Sequence, residues 1–483
     1  MSNLENIIVR GGAQYVHPDF IREHREMLRD LSQHYRLKNP EWIQAHRLRN
    51  QGKYIELPDE WVLAFKRLPV IHPWGEGLQI PRCIDIGKYM QGDVGMKLVR
   101  PPSLRDVDKT SFPDAEKLSV AEHITLRDYQ VHSIGNLKHA KEGVIVAPCG
   151  AGKTTIGVGA IAAIDTPALV LVHTLDLAKQ WADRCEQQLN FRPSIVGGGT
   201  NDLDKGGTGR IVVATFQTLS RWLWTERYNF GKQFGFLIVD ECHHVPANTF
   251  CETLMTMPQR YRLGLTATPE RQDGLGDILH WHLGDVLHEI KTQDLVNRGF
   301  VSRPKVKQLH TGWKIPLGRK KDWVRLITEM CNDDERTQLI LDKVDELVRN
   351  EGRQVLVLSD RVQHCKSMAE ELSGEGLKAV ALVGTLSKKK RAALLDAADK
   401  REIDVIFATC IADEGLDLPG LDTVVLTVPT KALGRIQQRI GRIMRVKEGK
   451  RTPVVFDVVD DAPVFTSMAR KRVKLYRSLG CEI

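Results

Sequence analysis

Gly143-Val144-Ile145-Val146-Ala147-Pro148-Cys149-Gly150-Ala151-Gly152-Lys153-Thr154-Thr155 is the stretch on which the reading of this chain turns. The short apolar run Gly143–Ala147 reads as a strand, and the residues from Lys153 onward read as the start of a helix. Strand, glycine-bearing loop and helix in that order fit a phosphate-binding loop, with Ala147 standing where the pattern has its first glycine. Across Pro148, Cys149, Gly150, Ala151 and Gly152 the backbone can curl so that its N–H groups point at phosphate oxygens beside a positive helix N-terminus. Lys153 suits the β- and γ-phosphates, the Thr154 hydroxyl suits Mg²⁺, and Thr155 belongs with the nucleotide-binding residues. Alone, the loop says only nucleoside triphosphate; a chance Gly-Lys-Thr turn is disfavoured by the strand before it and the helix after it.

Downstream, Phe236-Leu237-Ile238-Val239-Asp240-Glu241-Cys242-His243 ends a second apolar run with two acids. Asp240 at the strand end suits Mg²⁺ held through water, and Glu241 suits polarising the water that attacks the γ-phosphorus. The competing reading is two solvated acids at the start of a helix. Further apolar runs fall at 168–173, 210–215 and 262–266, then at 354–359, 379–383, 404–409, 423–428 and 453–458. Runs this apolar suit strands covered on both faces. With helical patterns between them they predict an α/β fold of two tandem doubly wound parallel sheets, over 121–290 and 336–483. Residues 291–335 have a weaker pattern and read as a linker with a small inserted element. Residues 1–120 read as a small α+β region. In it, Phe20–Leu48 is helical and arginine-rich (Arg22, Arg25, Arg29, Arg36, Arg47, Arg49), and strands are expected at Tyr54–Leu57, Trp61–Leu68 and Ile80–Ile86.

Composition narrows the class. The chain has 483 residues, 42% hydrophobic and 27% charged, enough for about two to four packed domains at roughly 100–200 residues each. Collagen, rods and wholesale disorder are excluded. The net charge of +8 permits nucleic-acid binding without establishing it. Nine cysteines are scattered singly with no C-x-x-C pair, which argues against a disulfide framework or a zinc ribbon. The opening residues carry no basic flank or apolar h-region, and no apolar run approaches a membrane span, so a soluble cytoplasmic protein of a bacterial or phage-infected cell is expected.

Taken together the motifs resemble those of superfamily 2 helicases over about 121–460. Asp240-Glu241-Cys242-His243 is similar to their motif II, a variant of the Asp-Glu-Ala-His box. Leu126-Arg127-Asp128-Tyr129-Gln130 resembles the adenine-reading element, and the donor and acceptor of the Gln130 amide suit adenine N6 and N7. Thr266-Ala267-Thr268 resembles motif III, and Thr409 to Asp417 resembles motif V. Gln438-Arg439-Ile440-Gly441-Arg442-Ile443-Met444-Arg445 matches motif VI. The resemblance implies RecA-like domains, ATP and Mg²⁺, and adds Gly415, Asp417 and Gln438 to the nucleotide contacts. Arg439, Arg442 and Arg445 recur every three residues, as if on one helix face; Arg442 and Arg445 are candidates for an arginine finger. His173 and Thr174 resemble motif Ia, and Thr215 and Gln217 motif Ic; with Arg361 and Thr409 in the second half they suit contacts to a single nucleic-acid strand. For each hydroxyl, helix capping is the competing role.

Gly264 to Arg271, Asp273-Gly274 and Asp457-Val458-Val459-Asp460 are similar to the XPB-like and phage UvsW-like group, which acts on DNA duplexes and branched junctions. The implied function is an ATP-dependent DNA helicase or translocase acting in replication, recombination or repair. An RNA helicase and the motor subunit of a restriction or defence complex are the alternatives. Residues 1–120, with Tyr35, Trp42 and Trp61, are expected to recognise forks or junctions, or else to form a stabilising cap.

Overall fold

The computed structural model describes residues 118–205, 209–244, 247–267, 276–315, 322–409, 418, 420–430, 433–447 and 449–483, together with short segments before residue 118. The chain divides into two compact units, 1–147 with 152–289, and 290–483 with the loop 148–151.

The early segments are mostly β. Strands β1 (Ile7–Arg10), β2 (Ala13–Val16), β3 (Arg36–Lys38), β4 (Trp61–Leu63), β5 (Lys66–Leu68), β6 (Gly77–Pro81) and β7 (Leu98–Val99) build a sheet of order β5-β6-β2-β1-β7 and a separate β3-β4 pair. The helical reading of Phe20–Leu48 is corrected at β3, where Leu37 pairs antiparallel with Val62. That partner is distant in sequence, so no local periodicity could announce it. The single strand expected over Trp61–Leu68 is two. Tyr54–Leu57, Tyr35, Trp42 and most of the arginines lie outside the described residues. Val16, Leu31 and Ile80 are fully buried in the same core as Val144 and Leu171 of the first unit.

That unit holds an eight-stranded sheet of order β11-β10-β12-β9-β13-β14-β8-β15. Its strands are β8 (Glu142–Val146), β9 (Ala168–Val172), β10 (Ser194–Gly197), β11 (Thr200–Asn201), β12 (Ile211–Thr215), β13 (Phe236–Asp240), β14 (Tyr261–Thr266) and β15 (Val286–Glu289). All pairings are parallel except β10 with β11. β9, β12 and β13 are buried at every position, as strands covered by helices on both faces must be. In a parallel sheet the carboxyl ends of the strands share one edge, so the loops after β8, β9, β12, β13 and β14 open on the same side.

The second unit repeats the plan with six strands: β16 (Lys305–His310), β17 (Val355–Ser359), β18 (Ala379–Leu382), β19 (Val405–Thr409), β20 (Thr423–Leu426) and β21 (Val454–Val459). Their order is β16-β21-β20-β17-β19-β18, all parallel. β16 lies in the stretch whose sequence reads as a linker. It is an edge strand with Val306 as its one buried residue, so it lacks the apolar run that marks the central strands. A helix at Trp323–Cys331 follows, packing Ile327 and Met330 with Phe465. Buried ion pairs tie this unit together. Arg336 Nε and Nη2 donate to Asp460 at 2.7 and 3.2 Å, and Thr311 donates to the same carboxylate at 2.6 Å. Arg472 and Tyr476 of the helix Pro463–Ser478 donate to Asp457 at 2.9 and 3.0 Å. Asp457 and Asp460, part of the sequence resemblance, are thus anchors of the fold.

Candidate active site

The apolar strand β8 delivers the chain into the loop, and the loop starts the helix Lys153–Ile164. Gly150 and Gly152 have φ of 85° and 78°, the left-handed region where a side chain is strained. A Cβ on Gly152 would also lie 2.6 Å from Gln130 Nε2, so a larger residue there would have to push the Gln130 amide aside. Ala147 carries no such demand: it is fully buried, and its N–H donates to Thr266 O at 2.8 Å. Alanine therefore serves where the pattern has glycine.

β13 ends at Asp240, which is 5% exposed. The Trp181 indole N–H donates to its Oδ2 at 2.7 Å, and the Glu241 backbone N–H donates to its Oδ1 at 2.9 Å. Glu241 itself has φ 45°, a tight turn. Its side chain meets Lys153, with Nζ 3.0 Å from Oε1. Its Oε2 lies 3.6 Å from His243 Nδ1, which is 2.8 Å from Thr266 Oγ1 at the end of β14. Cys242, between the acids and His243, is fully buried in the core of the unit. Adjacent residues thus alternate between the core and the charged side of the strand ends.

Burial pushes the Asp240 carboxyl above the ordinary carboxylate range, and the charge of Glu241 pushes the same way. Lys153 and the Trp181 hydrogen bond oppose them. Two carboxylates beside one lysine leave an acid-rich strand end facing a helix N-terminus, a donor set that fits a divalent cation together with phosphate.

Two family descriptions match the chain. "Type III restriction enzyme, res subunit" covers residues 123–271, and "Helicase conserved C-terminal domain" covers residues 339–447. The DNA 3'-5' translocase XPB2 of Sulfurisphaera tokodaii is 26% identical over 404 residues, 76% of this chain and 87% of the relative. By these two domains the chain is a helicase, similar to the XPB-like group of superfamily 2. The helicase is also similar to the putative ATP-dependent RNA helicase L396 of Acanthamoeba polyphaga mimivirus, 27% identical over 388 residues, 77% of this chain and 73% of that one. Among solved structures, the ATP-dependent Type ISP restriction-modification enzyme LlaBIII bound to DNA aligns with 80% of this chain and 32% of that chain, at a TM-score of 0.54 and 18% identity, and so shares the fold. This helicase is an ATP-dependent enzyme acting on nucleic acid.

The structure gives several of the helicase's sequence-predicted residues partners of their own. Gln130 is 4% exposed, and its Oε1 accepts the Arg127 backbone N–H at 2.9 Å. Arg127 Nη1 donates to Tyr129 Oη at 2.9 Å. Thr155 Oγ1 accepts from Gln188 Nε2 at 3.1 Å. Thr174 caps the helix Leu175–Leu189, accepting from Leu177 N–H at 3.2 Å. Thr215 is buried and 2.9 Å from Thr218 Oγ1, while Gln217 is exposed. His173 is half-buried at the end of β9. Arg361 donates to Thr328 Oγ1 at 3.1 Å and to Val324 O at 2.9 Å, and Thr409 is buried.

In motif VI the expected single arginine face is corrected. The helix Leu433–Ile443 ends before Arg445, whose backbone bridges Val301 and whose carbonyl accepts from Lys450 at 2.9 Å. Arg439 is 5% exposed, between the fully buried Ile436 and Ile440, while Arg442 is half-buried. Residues three apart are neighbours on a helix face, so it is the end of the helix at Ile443, and not the spacing, that parts Arg445 from Arg439 and Arg442. Thr268, Gly415 and Asp417 lie outside the described residues, as does the side chain of Gln438. The sequence reading passed over Trp181 and Gln188. A tryptophan and a glutamine on an amphipathic helix carry no sign of which distant group they meet.

Proposed function

We propose that this helicase is an ATP-driven DNA motor that unwinds or remodels duplex or branched DNA in replication, recombination or repair, in the cytoplasm of a bacterial or phage-infected cell. The observation that carries the ATP half is the Lys153–Glu241 pair at 3.0 Å, with Asp240 held beside it at the strand end. Lys153 exchanges the Glu241 carboxylate for the β- and γ-phosphates of ATP, which frees Glu241 to polarise the attacking water. Thr154 directly, and Asp240 through water, would hold Mg²⁺, whose charge offsets that of the phosphates when it is bound. The loop from Pro148 to Gly152 supplies backbone N–H groups, and Arg127 with Gln130 meets the adenine. Gly415, Asp417 and Gln438 contribute from the second half, and Arg442, with Arg445 as the alternative, supplies the arginine finger.

The DNA half is supported by the relative named as a DNA 3'-5' translocase. His173, Thr174, Thr215, Gln217, Arg361 and Thr409 contact the phosphates of one strand. Residues 1–120 form an accessory domain that selects forks or junctions, and 121–290 and 336–483 form the motor, whose second half takes its edge strand β16 from the stretch 291–335. An RNA substrate is the second reading, favoured by the likeness to the mimivirus protein named as an RNA helicase. A motor subunit of a restriction complex is the third, favoured by the description of the family that matches residues 123–271.

ATPase and strand-displacement assays on single-stranded, duplex, forked and four-way DNA, and on RNA, test the proposal. DNA-stimulated hydrolysis with displacement on forked or four-way substrates is expected. Stimulation by RNA alone moves the substrate to the second reading. Hydrolysis without displacement, alongside a co-purifying nuclease, moves it to the third.

A further inference from the structure

Trp181 sits in the middle of the helix Leu175–Leu189 and is 1% exposed. Its ring is wedged against the phosphate-loop helix: a Cβ on Gly157 would lie 2.4 Å from Trp181 Cη2 and 3.3 Å from Leu265 Cδ1. Only glycine at 157 admits the ring at that depth. The indole has one donor and no acceptor. That donor is spent on Asp240 Oδ2 at 2.7 Å, while the Glu241 N–H takes Oδ1 at 2.9 Å. Two donors on two different oxygens fix the plane of the carboxylate, and each oxygen keeps a lone pair. The same helix reaches the phosphate-loop helix again at its far end, through Gln188 and Thr155.

We propose that Trp181 is a positioning residue for Asp240: its indole N–H sets the plane of the carboxylate that holds the nucleotide-bound magnesium. This rests on the reading of Asp240 as the metal carboxylate. The ring's depth supplies the rigidity, because a donor on a flexible surface side chain would let the carboxylate turn. Partners that orient a metal-binding group change metal affinity by about 10–100-fold when they are lost.

The test replaces the N–H while keeping the ring. The chain holds nine tryptophans, so the replacement must be site-specific. β-(3-benzothienyl)alanine, placed at 181 of the full chain by suppression, has sulfur where indole has N–H. Trp181→Phe, which has no donor and less bulk, is the second variant. The readout is the affinity for a fluorescent ADP analogue with Mg²⁺ and with EDTA, beside thermal melting. In both variants the magnesium-dependent gain in affinity is expected to fall about tenfold or more, with affinity in EDTA unchanged. A normal gain in either folded variant overturns the inference and leaves the reading of Asp240 standing. No magnesium-dependent gain in the wild-type chain removes that reading and the inference with it. Packing alone would lower the melting temperature without separating the two affinities.

Discussion

The two parallel sheets have the same kind of carboxyl edge and put it to opposite use. In the first, the helix after β8 starts at Lys153 and β13 ends at the buried Asp240, followed by Glu241, whose half-buried carboxylate meets Lys153. In the second, the ends of β17, β20 and β21 are closed. Ser359 Oγ is 2.9 Å from His364 Nδ1, the Thr427 carbonyl accepts from Arg336, and Asp460 is saturated by Arg336 and Thr311. Like charges held together at an open edge favour a ligand that relieves them. Opposite charges matched inside the fold favour the fold itself. The architecture does not decide which; the loop and the charge balance at the strand ends do.

The largest expected effect breaks the first edge. Lys153→Ala should abolish ATP hydrolysis, and a near-normal rate would remove the phosphate-loop assignment. Arg442→Ala asks whether the second unit contributes chemistry as well as structure. It should cut the hydrolytic rate by about 10³–10⁵ with ATP affinity largely kept; a change confined to nucleic-acid affinity would place Arg442 on the strand instead. Glu241→Gln should slow turnover by about 10²–10⁴ while ATP and Mg²⁺ still bind. If ATP affinity collapsed, Glu241 would be a metal ligand or a structural residue.

The second edge should answer in stability rather than rate. Arg336→Leu leaves the Asp460 carboxylate buried without its cation, and about 3–5 kcal/mol of stability should be lost in denaturant unfolding. Adding Asp460→Asn should recover part of the loss; no recovery would mean that the guanidinium acts mainly through the Thr427 carbonyl. The smallest effect concerns His364. Burial, and then the nearby Arg336 charge, hold its pKa down to about 4. The unfolded chain therefore binds a proton from about pH 6.5 downward that the folded chain refuses until near pH 4, so stability is lost as pH falls through that window. His364→Gln should flatten the melting profile between pH 7 and pH 5 by about 2 kcal/mol. An unchanged slope would mean that His364 takes up its proton in the fold.

Nine central strands were legible in the sequence because strands covered on both faces need unbroken Val, Ile and Leu, and the edge strand β18 was legible through its apolar run Ala379–Leu382. β15 and β16 were not, since an edge strand with at most one buried position looks like any polar segment. β3, β6 and β7 depend on partners far along the chain, whereas β1 and β2 pair as sequence neighbours. Lys153, Asp240 and Glu241 were legible one by one, as a lysine after glycines and acids after an apolar run.

What the sequence determined by itself was the order of chemistry-bearing loops and the strands that carry them, because those are set by neighbours along the chain. What only the tertiary structure decided was which groups meet. Glu241 faces Lys153, His243 faces Thr266, Gln130 packs against Gly152, and the arginines of motif VI part company at the end of their helix. Trp181 finds Asp240 across 59 residues of chain. Such pairings follow from strand order and helix docking, and a hydrogen bond depends on distances of a few tenths of an ångström, which no one-dimensional pattern records.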